Sequence, residues 1–231
     1  IALVILTRFL AKRFAQNRDE IGIYNYAFAV SNMGYMGYPM MQAMFGETML
    51  FKMMITVIPV NIYIYTVGMA SMTGKKASLR SLINPVFIGT CAGILIGLTG
   101  IELPSLANNF LSSAANCMSP IAMLISGLVI SRLPLGKLFS SVRIYVAAIL
   151  RLIVLPAIIL AVFYFLGAPT ELLAIMLVTY AMPIGMNTIV FPEAHGIDAR
   201  AGAQLVLISN LMSIVTIPIM VLLFLRLFPA I

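Results

Sequence analysis

The sequence predicts an all-α integral membrane protein, an inverted-repeat bundle of helices in which two helices are broken. Three observations predict it. The 231 residues are 62% hydrophobic and 9% charged, with a mean hydropathy of +1.08. The charges divide the chain into apolar runs of about one membrane span each. Two of those runs resemble each other while crossing in opposite directions. A soluble domain is roughly 45–50% apolar and about 25% charged, and a single core cannot hide this much apolar side chain. A soluble enzyme, a nucleic-acid binder and a disordered linker are therefore disfavoured. The net charge of +7 reads as loop charge rather than a nucleic-acid footprint. Cys91 and Cys117 lack metal-ligand spacing and read as ordinary small residues.

Residues 1–15 open on Ile1 with no charged n-region and no small-residue cleavage site, so they read as the tail of a membrane helix rather than a signal peptide. The chain is accordingly expected to be a fragment. No charge occurs in 21–46, 53–74, 81–101, 103–131, 152–170, 172–192 or 201–225. Each run is close to or above the ~20 residues that carry a helix across ~30 Å of hydrocarbon. A β-barrel would need alternating strands of about ten residues, which these continuous runs lack. Eight helices are expected.

The loops set an orientation. Lys12, Arg13 and Arg18 lie in the first, Lys75, Lys76 and Arg80 in the third, and Arg132, Lys137 and Arg143 in the fifth. The second holds Glu47 and Lys52, the fourth Glu102, the sixth Glu171. Basic residues mark cytoplasmic loops, so loops one, three and five face inside. Asp198 and Arg200 then fall inside by parity, and the C-terminus outside despite Arg226.

Segments 26–46 and 180–196 both begin Tyr-Ala, followed by an asparagine (Asn32, Asn187), a proline (Pro39, Pro192) and a glycine (Gly46, Gly196). Their opposite directions fit an inverted-topology repeat. Gly34, Gly37 and Pro39 interrupt the first, and Pro183, Gly185 and Pro192 the second. Proline removes a helical hydrogen bond, and irregular backbone in hydrocarbon survives only when buried in protein or lining a wet cavity. Kinked packing helices with small residues at their contacts remain an alternative. Paired interrupted segments point to a transporter's binding site.

At these residues the chain resembles the auxin efflux carrier (PIN-like) family of membrane permeases. The resemblance rests on Asn32-Met33-Gly34-Tyr35-Met36-Gly37-Tyr38-Pro39, on Asn84-Pro85, on Gly100-Ile101-Glu102-Leu103-Pro104, on Arg151 through Pro156, and on Met182 through Asn187. It implies ten helices in two five-helix repeats, of which the first two are missing, and broken fourth and ninth helices that cross near the membrane centre. It implies residues 1–81 as the end of the first repeat, 82–133 as scaffold helices, and 134–231 as the second repeat. It further implies a homodimer and an elevator-like motion.

The chemistry expected of the site follows from what the broken segments hold. Neither has Asp or Glu within its apolar span, which disfavours a proton antiporter with an intramembrane carboxylate. Half-helix N-termini present backbone N–H groups and a partial positive charge. Asn32 and Asn187 add amide donors, Ser31 and Thr188 hydroxyls. The expected substrate is a small organic anion such as an auxin-like or dicarboxylic acid, held by Ser31, Asn32, Gly34, Gly37, Pro39, Pro183, Gly185, Asn187 and Thr188. Asn61 and Asn210, on the helices that follow, are candidates to line the same cavity, with packing against their neighbours as the alternative. Arg151 lies deep in an apolar stretch; it either snorkels to the cytoplasmic surface or compensates an anion or exposed carbonyls. Glu193 and His195 fall short of a metal site. The 17 methionines read as fillers of irregular contacts, and the deeper tyrosines, Tyr24 and Tyr26 among them, need hydroxyl partners. No cofactor, metal or nucleic-acid partner is expected, and no catalytic motif appears. The lipid bilayer of the cell membrane is the expected setting. A sodium-coupled anion symporter and a non-transporting receptor are the alternatives.

Overall fold

A computed structural model of the chain describes residues 2–131, 139 and 141–228. Among the described residues every regular element is helical, and the β contact is an isolated antiparallel bridge between Ser31 and Ile184. Arg132 and Lys137, expected on the fifth loop, lie outside the described residues.

Helix α1 (Ala2–Phe14) turns sharply into α2 (Arg18–Ala29). The Glu20 N–H donates to Asn17 Oδ1 at 2.9 Å, and Asp19 and Glu20 sit at the positive end of α2. The Thr7 hydroxyl ties α1 to Asn25 at 3.0 Å. All residues of α2 from Gly22 to Ala29 are buried. Its 12 residues reach about 18 Å at 1.5 Å per residue, little more than half of a ~30 Å hydrocarbon layer. The helix is therefore too short to cross such a layer alone.

It stops at Val30, whose backbone is extended (φ −121, ψ 132). This corrects the expectation that Gly34, Gly37 and Pro39 make the break. Val30, Ser31 and Asn32 are poor helix formers, β-branched or able to hydrogen-bond backbone locally. Gly37 has helical torsions (φ −68, ψ −42) within a π-turn, Met33–Gly37, that leads into α3 (Tyr38–Thr56). Pro39 has no N–H for the carbonyl four residues back, Tyr35, and the wider turn absorbs that loss.

A second correction concerns Glu47 and Lys52, read as a loop. Helix α3 runs through both, and the turn is confined to a kink at Gly46 (φ 82, ψ 178). Beyond Val57 come α4 (Ile58–Tyr63), a π-turn (Ile64–Gly68) and α5 (Met69–Thr73), bent by 46° from the helix before. Asn84 caps α6 (Pro85–Thr99) by accepting from the Phe87 N–H at 2.9 Å, with Pro85 opening the helix. Helix α7 (Ser105–Ser131) follows.

The second half repeats the plan. Helix α8 (Val142–Ile149), a π-turn (Leu150–Val154) and α9 (Leu155–Phe165) form one continuous stretch. Pro156 again follows the π-turn. Helix α10 (Thr170–Ala181) has the same 12 residues as α2 and ends at an extended Met182 (φ −66, ψ 153). Helix α11 (Asn187–Ala194) resumes after the interruption that Pro183 and Gly185 predict. Gly196 (φ 69), the counterpart of Gly46, turns the chain into α12 (Arg200–Leu227). Pro192 is not part of the interruption, since it sits inside α11.

Among the described residues, 142–165 and α12 are long and apolar enough to cross a membrane. The bent pair formed by Met33–Thr56 and Ile58–Thr73 makes a third such span, and α6 and α10 are shorter apolar helices. The protein is an all-α membrane protein. Its core is not a layer between sheets but the two half-helices α2 and α10, wrapped by α1, α5, α9 and α12.

Candidate functional site

The two interruptions meet. Ser31 bridges Ile184 in antiparallel fashion, and the Asn32 N–H donates to Pro183 O at 2.7 Å. The fit is close: a Cβ at Gly185 would stand 3.1 Å from Ser31 O. The Ile184 N–H, facing the other way, donates to Ser209 Oγ at 3.1 Å. Two stretches of chain that have left the helix thus satisfy each other by main-chain hydrogen bonds. In hydrocarbon each unsatisfied group costs several kcal/mol, so such a crossing is stable only as a pair.

The carbonyls at the end of each half-helix find partners in three ways, by a last helical bond, by a side chain of the other repeat and by Arg151. In α2, Tyr26 O accepts from the Val30 N–H at 2.8 Å and Ala27 O from Arg151 Nε at 3.1 Å. In α10, Thr179 O accepts from the Ser31 hydroxyl and Tyr180 O from Arg151 Nη1 at 2.7 Å. Arg151 is 0% exposed, and its remaining nitrogen, Nη2, has no partner. It does not snorkel. One guanidinium binds the C-terminal ends of both broken helices, which is the carbonyl compensation that the sequence left open. The π-turn at Leu150–Val154 presents it there.

The other side of the crossing is built from helix N-termini. Asn187 opens α11 and donates from Nδ2 to the Tyr26 hydroxyl at 2.8 Å. This is the partner that a phenol with 0% exposure requires. Tyr26 and Tyr65 flank the Phe191 ring, each at 6.2 Å between centroids. The Thr188 hydroxyl donates to Gly185 O at 2.7 Å and rounds off the turn into α11. Asn32 contributes main chain: its carbonyl accepts from the Met36 and Gly37 N–H groups at 3.1 and 3.3 Å, and its side chain does not cap the helix that follows.

The remaining expected residues are dispersed. A Cβ at Gly34 would meet no atom within 4 Å, so its surroundings are open. Gly37 is packed, with Met182 and Met33 each 3.4 Å from where its Cβ would stand. Pro39 is exposed. Asn61 lies beside Tyr38 on α4. Asn210 donates back to Val206 O of its own helix at 2.9 Å. Its neighbour Ser209, fully buried, is the residue of α12 that reaches the crossing, and sequence reasoning missed it. His195 Nδ1 lies 2.9 Å from Phe191 O, and no metal-binding cluster occurs among the described residues.

Two comparisons bear on this geometry. The profile of a family described as membrane transport protein matches residues 69–221. The curated protein "Uncharacterized transporter YfdV" of Escherichia coli K12 is 20% identical over 221 residues, covering 90% of this chain and 69% of that protein. The proteins of that name from Escherichia coli O157:H7 and Shigella flexneri match to the same extent.

Proposed function

Because the chain belongs to the membrane transport protein family, the auxin-efflux-carrier-like family, we propose that it is a secondary transporter moving small organic anions by alternating access. The observation that carries the reading is the antiparallel pairing of the two interruptions, Ser31 with Ile184 and Asn32 with Pro183. A crossing of this kind brings two helix N-termini, at Met33 and Asn187, to one place. The positive ends of two helix dipoles there favour an anion. The Asn32 amide and the second Nδ2 hydrogen of Asn187 are neutral donors that suit a carboxylate, while the Ser31 and Thr188 hydroxyls, which donate to Thr179 O and Gly185 O, shape the turn around it.

In this proposal the broken helices move together as the carrier, in an elevator-like motion, across the cell membrane. The test is uptake and efflux of radiolabelled mono- and dicarboxylates by the full-length protein. Asn32→Ala and Asn187→Ala are expected to lower flux of the carried anion at least tenfold, about 1.4 kcal/mol of lost site interaction. If both variants carry every anion as the parent does, the site lies elsewhere.

A further inference from the structure

We propose that Arg151 is the fixed cation of the crossing: a positioning residue that stands where a metal cation would otherwise have to bind, so that the assembly needs no Na+. The inference rests on the crossing being the transport site, and goes beyond it by naming what balances the carbonyl charge there.

Each half-helix ends with about half an elementary negative charge on its unsatisfied carbonyls. The ends of α2 and α10 meet, so about one full negative charge accumulates at the crossing. Transporters with broken helices commonly meet this demand with Na+ or H+ held by unwound carbonyls and half-helix C-termini. Here the demand is met from within the chain. Arg151 reaches Ala27 O at 3.1 Å and Tyr180 O at 2.7 Å, one carbonyl from each helix. Neither broken segment carries Asp or Glu inside its span, so nothing local cancels the guanidinium. An arginine keeps its charge at any physiological pH, unlike a lysine or a bound proton.

A purely structural arginine and a fixed cation differ in one observable, the response to added cations. Thermal unfolding of the purified full-length protein is followed by size-exclusion of heated aliquots, in NaCl, in choline chloride, and in choline chloride with millimolar guanidinium. The parent is expected to unfold at one temperature in all three. Arg151→Ser is expected to unfold at lower temperature in choline and to recover at least half of the loss with guanidinium or Na+. A Na+-dependent rise in the parent overturns the proposal. So does an Arg151→Ser protein that unfolds with the parent, or one that no cation restores, since Arg151 is then only packing. If Arg151→Ser cannot be isolated, Arg151→Gln fills the volume without the charge and carries the same comparison. None of these readings needs a substrate, so they hold or fail apart from the transport assignment. Where an anion is carried, its flux is expected to be equal in Na+ and choline. Arg151→Ser should then lose most of its maximal rate with KM unchanged.

Discussion

The hydrogen bond from Asn187 to Tyr26 joins two residues 161 positions apart and crosses from one repeat to the other. Tyr26→Phe keeps the ring against Phe191 and removes only the hydroxyl. Hydrogen bonds of this kind within membranes average about 0.6 kcal/mol and reach about 1.7. A small fall in unfolding temperature is therefore expected, measured on the purified protein. Asn187→Ala should cost more, because the Tyr26 hydroxyl is then buried without a partner. Sequence made this pair half visible: an amide in an apolar run stands out, and a deep phenol demands a partner. It passed over Ser209 beside Asn210 because neighbouring helical residues point about 100° apart, and the apolar pattern of α12 does not fix that phase. Arg151 was conspicuous as a charge, but its targets were not. Ala27 lies 124 residues away and Tyr180 lies 29, and both take part through carbonyls that every residue possesses.

Each broken helix is a half-helix of 12 residues, an extended interruption, and a second helical piece ended by a positive-φ glycine. The two interruptions approach closely enough that Gly185 leaves room for little else. A Cβ there would lie 3.1 Å from Ser31 O, tighter than most such contacts. Gly185→Ala is expected to spread the crossing by a few tenths of an ångström, leaving the protein folded and lowering its transport rate. Gly185→Val should abolish transport. Flux in proteoliposomes measures both, and an unchanged rate in Gly185→Val would show that the crossing does not limit transport. Sequence placed the second interruption at Pro183 and Gly185, where it lies, but also at Pro192, which is helical, and it placed the first about four residues late. The reason is that proline marks a lost hydrogen bond without saying how the loss is absorbed. At Pro183 the chain unwinds, whereas at Pro39 a π-turn takes up the strain.

The molecule as a whole is tied at both ends of its broken helices. Lys52 on α3 meets Glu171 at the start of α10 at 2.6 Å, and Arg143 on α8 meets Glu20 of α2 at 3.6 Å. The first pair is exposed, so it is worth about 0–1 kcal/mol and does not hold the fold. It reports instead on what moves. If both repeats travel as one carrier, joining positions 52 and 171 by a short thiol-reactive linker, in a Lys52→Cys, Glu171→Cys protein with Cys91 and Cys117 replaced by serine, leaves flux intact. Loss of flux on linking, reversed by cleaving the linker, would show that they move against each other. The membrane class and the helix inventory were legible because charge is excluded from hydrocarbon. Each apolar run does contain a helix, although the Glu47–Lys52 fence turned out to lie inside one. What no run could show is that the crossing is joined by main chain. Asn32 N–H to Pro183 O is a bond that any pair of non-proline and proline residues could make, and the Ser31–Ile184 bridge asks nothing of side chains. Apart from Gly185, whose missing Cβ the close approach requires, the side chains at the joint do not make this bond, so that cargo preference can be redesigned, or can diverge among descendants, on an unaltered frame.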